Sequence, residues 1–535
     1  MNEPLRIAGL LEHAAKWHSD TEIVSRLPEG GLHRYTYAAA HQRSRQLANA
    51  LTALGVSTGD RVGTLAWNTH RHFELYYGIS GLGAVCHTIN PRLFFEQLVY
   101  IINHAQDRLL FFDLTFLPLV EKLAPQCPTV ESWVLMTGRA HLPEASPLPN
   151  LRCYEELLAA QPADYEWPVF DENTASSLCY TSGTTDQPKG VLYSHRSTLL
   201  HSYAASLPDC FNCSARDVVL PVVPMFHVNA WGIPYMAPLN GCKLVLPGPG
   251  LDAASLYELY EQEGVTFTAG VPTIWFGLLT FMREKNRQFS TLRQMIVGGA
   301  SCPPALLKAF HDELGVVIRH AWGMSETSPL GTVCTLKSQQ LSLSPDEQFV
   351  IQTKQGRSIF GIDMKIVDDA GNALPHDGVA FGDLLVRGPF VVREYFGADQ
   401  PGGLTSSGWF RTGDVATIDP AGFMQITDRS KDVIKSGGEW ISSIELENLA
   451  IGHPAIAEAA VIGVPHPKWS ERPLLVVVRK PNATISKEEL LAYYDGKVAR
   501  WWVPEAVEFV DQLPHTATGK LLKTKLRQDF AEYTW

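Results

Sequence analysis

Between Tyr180 and Gly190 the chain reads YTSGTTDQPKG, a loop of hydroxyls, glycines and one lysine set between two apolar runs. Thr181, Ser182, Thr184 and Thr185 offer four side-chain hydroxyls. Gly183 and Gly190 allow a tight turn and a close backbone approach to a ligand. Backbone N–H groups, hydroxyls and the Lys189 ammonium together suit a polyphosphate. The run Ala175–Cys179 predicts a strand entering the loop, and Val191–Tyr193 a strand leaving it. The loop is not the GxxxxGK[ST] nucleotide motif, because Gly190 follows Lys189 and no Ser or Thr stands there to hold a metal. Read without a ligand, it is an ordinary Ser/Thr/Gly-rich turn.

The surrounding sequence predicts layered α/β architecture. Arg61–Leu65, Ala84–Ile89, Arg108–Phe112 and Ser132–Met136 read as strands, and Ile7–Trp17 and Tyr37–Leu54 as helices. The alternation returns with strands at Val218–Val223, Lys243–Leu246 and Gln294–Val297. Helices are predicted at Ala253–Glu263, Thr273–Lys285 and Pro303–Leu314, the last with Ser301 as N-cap. From Gly356 the pattern changes to short strands with Gly and Pro turns, including Asp363–Val367 and Gly382–Val386, a small β subdomain. After Asp428 a Lys/Ser/Gly-rich stretch leads into a compact α+β unit. Its helices are expected at Ser443–Ala450 and Lys487–Val498, and its strands near Ala459–Ile462, Leu474–Val478 and Ala506–Phe509. The expected division is a domain over residues 1–428 and a second over 429–535, since 535 residues exceed one core.

Composition narrows the function. A net charge of −12 argues against a nucleic-acid partner, which calls for a basic surface. No run of about 18 apolar residues predicts a membrane span. The N-terminus lacks the basic-then-apolar order of a signal peptide, so the expected location is cytoplasmic. Nine scattered cysteines fit reduced thiols. Cys210 and Cys213 form a CxxC without a second ligand pair, and read as chance neighbours in a surface loop.

Seven further strings carry chemistry. In VPMFHVNAW (223–231), His227 and Trp231 by themselves would read as core residues. Gly298–Gly299–Ala300 ends a strand and opens a helix, where backbone can approach a flat ligand and the helix N-terminus favours anions. AWGMSET (321–327) sets Glu326 among hydroxyls. One carboxylate plus substrate phosphates is the usual design for magnesium. GWFRTGD (408–414) and DRSKDVIK (428–435) supply Asp414, able to accept both hydroxyls of a ribose, and Arg429, able to donate to sugar or phosphate. KSGGEWI (435–441) reads as a surface β-hairpin, and LPHTATGK (513–520) as a turn with a solvated lysine, Lys520.

Taken in this order along most of the chain, these strings resemble the acyl-adenylate-forming enzymes, which include acyl-CoA synthetases, luciferases and the adenylation domains of peptide synthetases. The chain departs from the family pattern at Asp186, where glycine is usual, and at His515, where arginine is frequent. The resemblance implies a large AMP-binding domain of layered α/β subdomains with a small β subdomain, and a small mobile α+β C-terminal domain. It implies that Thr181, Ser182, Gly183, Thr184, Thr185 and Lys189 hold ATP phosphates. Gly299, His320, Ala321, Trp322, Gly323, Ser325, Asp414, Arg429, Lys431, Lys435 and Trp440 complete the nucleotide site, with Trp322 stacking on adenine. Glu326 and Thr181 would serve Mg²⁺. Trp231 would gate an acyl tunnel walled by Val228, Gly299 and Ala300, with His227 near the reacting carboxylate. Lys431 would be the hinge. Gly437, Gly438 and Glu439 would meet the pantetheine of coenzyme A, and Lys520 would bridge carboxylate and α-phosphate.

The strings VPMFHVNAW, AWGMSET, KSGGEWISS and KWSERPLLVVV are most similar to those of the medium- and long-chain fatty-acyl-CoA synthetases and their methylmercaptopropionate-activating relatives. The implied activity is an ATP-dependent, AMP-forming carboxylic acid:CoA ligase acting on medium- to long-chain fatty acids through an acyl-AMP. Methylmercaptopropionate or another short-chain acid is the alternative substrate. Homodimers are common in this group. An oxidative luciferase or a carrier-loading adenylation enzyme would share the adenylation residues but usually lacks VPMFHVNAW. Asp186 raises a further class, a non-catalytic nucleotide or acyl binder.

Overall fold

The computed structural model describes residues 2–181, 187–397, 403–436, 439–515 and 521–535. Two large sheets dominate. The first has seven strands in the order Leu151–Cys153, Ser132–Leu135, Leu109–Phe112, Arg61–Leu65, Val85–Thr88, Ala175–Tyr180 and Gly190–Ser194. Every pairing is parallel except the last, a hairpin that carries the phosphate-loop string at its tip. The second has nine strands, parallel from Val317–Gly323 through Gln294–Val297, Phe267–Gly270, Val218–Pro221 and Lys243–Leu246 to Glu22–Arg26. Antiparallel strands close both of its edges.

The parallel strands are legible in sequence because helices cover both faces, so most of their residues are apolar. The helix His70–Gly81 lies between the two sheets and every one of its residues is buried. Its Tyr77 hydroxyl donates to the Pro234 carbonyl at 2.7 Å, and its Tyr76 hydroxyl donates to the Met225 carbonyl. These two buried hydroxyls are thus satisfied across the layer.

A four-stranded antiparallel sheet follows: Asp363–Val367, Phe381–Arg387, Phe410–Ile418 and Met424–Arg429. The remaining sheet begins at Ile434 and contains Ile434–Ser436, Glu439–Ile441, Ile456–His466, Ser470–Arg479 and Ala506–Phe509. It packs its own core around Leu446, Val461, Leu475 and Tyr494. This is the expected mixed α/β arrangement, with a large N-terminal part and a smaller C-terminal unit. Among the described residues no helix is long and apolar enough to cross a membrane.

Three local expectations need correction. Cys210 and Cys213 are buried, not on a surface loop, and burial pushes the Cys210 thiol up to about 12. Ser301 does not cap a helix: the helix starts at Pro304 with Pro303 as N-cap, and the Ser301 hydroxyl accepts from Asn448 Nδ2 at 3.3 Å. The helix predicted over Lys487–Val498 stops at Ala492. Beyond it Gly496 takes a left-handed φ of 73° and Tyr494 turns inward, donating to the Leu446 carbonyl at 2.7 Å.

Candidate active site

The two strands around the phosphate-loop string pair as Tyr180↔Gly190, and the Thr181 N–H donates to the Lys189 carbonyl at 2.9 Å. The hairpin therefore closes immediately at Thr181 and presents the exposed Lys189 at its mouth. Ser182, Gly183, Thr184, Thr185 and Asp186 lie outside the described residues. Two ties fix the hairpin to the rest of the site. Tyr193, on its returning strand, donates to the Ser325 carbonyl at 2.8 Å. The Phe396 N–H donates to the Gly190 carbonyl at 2.8 Å, laying the segment Val391–Phe396 along the hairpin's edge.

Glu326 sits beside this junction in the short turn Ser325–Thr327 and is buried. The Tyr395 hydroxyl donates to its Oε1 at 2.7 Å, and the Val392 N–H donates to its backbone carbonyl at 2.8 Å. Burial first, then the Glu326 charge, push the Tyr395 phenol above its ordinary value, so it remains a donor. A divalent cation fits this setting. Among the described residues no group of three His, Cys, Asp or Glu side chains could hold an ion unaided. An ion at Glu326 would take its other ligands from phosphate oxygens and hydroxyls, as magnesium does in nucleotide sites.

Several of the residues expected at the nucleotide lie on the strand Val317–Gly323 and the four-stranded sheet. Asp414 is buried, and its carboxylate accepts from Trp322 Nε1 at 2.9 Å and pairs with Arg429 Nε at 2.9 Å. Asp414 and Arg429 are direct cross-strand partners, so one register fixes both side chains. The Trp322 ring packs on Gly331, where any Cβ would overlap it. Gly323 is likewise confined, since a Cβ there would overlap the Pro329 carbonyl, to which the Met324 N–H donates at 3.0 Å. His320 is buried with Nδ1 2.9 Å from the Thr353 carbonyl, and burial lowers its pKa to about 4, so the ring is neutral. Its imidazole is anchored to Thr353.

The acyl side is built on backbone strain. After His227, residues Val228, Asn229, Ala230 and Trp231 all have φ between 47° and 56°, and Gly232 has 80°. A left-handed turn costs non-glycine residues roughly 1–2 kcal/mol each. Such strain concentrates at functional sites. Asn229, which tolerates this region best, holds the turn: its Nδ2 donates to Ser177 Oγ at 2.9 Å, and the Cys179 thiol donates to its Oδ1 at 3.5 Å. The turn is thereby bolted to the strand Ala175–Tyr180 that feeds the phosphate loop. Val228 packs with Cys179, Val191 and Tyr193.

The strained turn delivers Trp231 to the glycine pair. A Cβ at Gly298 would lie 3.3 Å from Trp231 Cη2 and 3.0 Å from the Ala321 carbonyl, and one at Gly299 would lie 3.8 Å from Trp231 Cζ2. The indole lies across Gly298 and Gly299, while Gly299 and Ala300 stay exposed. The structure thus brings Trp231, Gly299 and Ala321 into one wall.

On the C-terminal side, Lys431 is exposed in the turn after Arg429, between the four-stranded and the C-terminal sheets. Lys435 pairs with Trp440 across the hairpin and places its ammonium 5.1 Å from the indole centroid. The Trp440 ring lies 5.4 Å from Phe381. Glu439 stands opposite Ser436 in the same hairpin. Gly437, Gly438 and Lys520 lie outside the described residues. The flanks of the Lys520 loop are anchored: His515 bridges to Leu521, and the buried Lys523 pairs with Glu447 at 2.6 Å and donates to Ser443 Oγ at 2.6 Å. Asp428 accepts from the Ser443 N–H at 2.6 Å and from its hydroxyl at 3.0 Å.

Tyr395 and Asn229 are the site residues that sequence reasoning missed. Asn229 lies inside VPMFHVNAW, hidden among apolar neighbours, and Tyr395 lies in none of the strings above; the pairing of distant segments reveals both.

Comparison with known proteins shows the family. Residues 10–396 match the AMP-binding enzyme family, and residues 445–520 match the AMP-binding enzyme C-terminal domain. The chain is 56% identical over 533 residues to a 3-methylmercaptopropionyl-CoA ligase of Ruegeria lacuscaerulensis, covering 99% of this chain and 98% of that protein. It is 50% identical to a medium-chain-fatty-acid–CoA ligase of Ectopseudomonas oleovorans, covering 99% and 97%. Among solved structures it superposes on the anthranilate CoA ligase AuaEII in complex with anthranoyl-AMP with a TM-score of 0.86 at 26% identity, covering 98% of each chain. The chain belongs to the AMP-binding enzyme family, as an acid:CoA ligase of the AMP-forming type.

Proposed function

We propose that this ligase activates linear carboxylic acids of short to medium length, with 3-methylmercaptopropionate and medium-chain fatty acids as its substrate class. The observation that carries the reading is the Trp231 indole lying across Gly298 and Gly299. An indole held there by a strained turn limits the depth open to an acyl chain and favours a narrow, unbranched one. Names of relatives at 56% and 50% identity point to the same class.

The acid's carboxylate oxygen attacks the α-phosphorus of ATP, and pyrophosphate leaves, giving acyl-AMP. The thiolate of coenzyme A then attacks the acyl carbonyl carbon, and AMP departs. Both steps rest on positioning and electrostatics, without a covalent enzyme intermediate. In this reading Lys189 and the phosphate-loop hydroxyls hold the phosphates, and Trp322 and Asp414 fix adenosine. Arg429 steers Asp414 and shares the sugar. Mg²⁺ bound at Glu326 supplies charge neutralisation to the phosphates. Residues 429–535 form the mobile domain, with Lys431 as pivot. Lys520 serves the first step, and the hairpin with Gly437, Gly438 and Glu439 serves the second. We place the enzyme in the cytoplasm, where its nucleotide and thiol substrates are found.

The test is kcat/KM across 3-methylmercaptopropionate, butanoate, octanoate and palmitate for the wild type and Trp231→Ala. The wild type should prefer the short and medium acids. The alanine variant should shift toward longer chains, with KM for ATP changed by no more than about twofold, because only acyl binding is altered. An unchanged chain-length profile would make Trp231 a core residue only.

A further inference from the structure

Tyr395 touches both charged partners of the phosphate site. Its hydroxyl donates to Glu326 Oε1 at 2.7 Å, and the Lys189 ammonium lies 5.1 Å from the centroid of its ring. The segment that carries it is fixed at two points by main chain: Val392 N–H to the Glu326 carbonyl at 2.8 Å, and Phe396 N–H to the Gly190 carbonyl at 2.8 Å. The same segment packs Val392 and Tyr395 against Cys179, Val191, Tyr193 and Val228. One aromatic side chain is therefore held rigidly between the acidic and the basic sides of the site. Its ring face attracts the cation, while its hydroxyl orients the carboxylate.

We propose that Tyr395 is a positioning residue for ATP and its divalent cation, aiming one oxygen of Glu326 with its hydroxyl and seating Lys189 with its ring. The inference rests on the assignment of Glu326 to the cation and Lys189 to the phosphates. A hydroxyl bonded to Oε1 leaves the carboxylate's remaining lone pairs to an ion and stops the side chain from rotating toward Lys189. Direct Glu326–Lys189 pairing would neutralise both groups before substrate arrives. The ring keeps the ammonium attracted but unpaired, and so available to a phosphate oxygen.

The two functions separate in two variants. Tyr395→Phe keeps the ring and loses the hydroxyl; Tyr395→Leu loses both. Binding is read directly, by electron paramagnetic resonance of Mn²⁺ titrated into enzyme with ATP, and by calorimetry of ATP without divalent cation. Tyr395→Phe should weaken Mn²⁺ binding about tenfold, the scale for losing a hydrogen bond to a charged group, and leave metal-free ATP binding within about twofold. Tyr395→Leu should weaken Mn²⁺ binding similarly, and should also weaken metal-free ATP binding about three- to tenfold through loss of the cation–π contact. Far-UV circular dichroism spectra of both variants should match wild type, which a general folding defect would not allow. Wild-type Mn²⁺ affinity in Tyr395→Phe overturns the proposal, as does equal loss of metal-free ATP binding in both variants. If Mn²⁺ affinity is unchanged in Glu326→Gln as well, the cation assignment itself fails, and the proposal with it.

Discussion

Lys520→Ala should lose adenylate formation by about 10²–10³-fold or more, the range for removing one preorganised stabiliser of a charged transition state. CoA transfer from supplied acyl-AMP should be spared. An ammonium between the attacking carboxylate and the α-phosphate offsets negative charge as the pentavalent phosphorus forms, and this charge is gone once acyl-AMP exists. The flanks of the lysine's loop are rooted in the C-terminal unit by the His515–Leu521 bridge and by the buried Lys523–Glu447 pair. Single-turnover pyrophosphate exchange and acyl-AMP consumption measure the two half-reactions separately. Near-normal exchange in the variant would remove Lys520 from the first step.

Lys431→Pro should show the reverse split. Proline fixes φ near −65° and removes the N–H, so a turn that must change its dihedrals can no longer do so. Adenylation should survive within severalfold, while CoA transfer should fall roughly 10²-fold, as expected when reacting groups cannot be brought into register. Lys431 stands two residues after Arg429, whose strand is paired with Asp414, and precedes the hairpin that begins at Ile434. Just before it, Asp428 is held by the Ser443 N–H and hydroxyl. Equal loss of both half-reactions in a folded variant would place the pivot elsewhere.

The parallel strands of both large sheets were readable because burial on two faces leaves almost no choice but apolar residues. Arg61–Leu65, Lys243–Leu246 and Gln294–Val297 fall where their sequences place them. Candidate site residues stood out where polar residues cluster in short strings, as at Ser325 and Glu326, or at Asp414 and Arg429 in two separate strings. Long-range pairing was not. Tyr395 gains its role only because Phe396 pairs with Gly190, a contact no local pattern encodes. The left-handed turn at Val228–Gly232 was equally invisible, since Val, Ala and Trp are poor markers of positive φ. Ser301 looked like a helix cap because hydroxyls before a helix usually are. Two intervening residues, Cys302 and Pro303, move the helix start beyond its reach and leave it to Asn448.

Carboxylate-dependent exchange of radiolabelled pyrophosphate into ATP, measured without coenzyme A, tests the central claim most directly. Exchange is expected with 3-methylmercaptopropionate and medium-chain acids and absent without an acid, and AMP is the expected nucleotide product once coenzyme A is added. ATP binding without exchange for any linear acid would contradict it and mark the protein as a nucleotide binder whose phosphate loop, with Asp186 in place of glycine, no longer supports the chemistry.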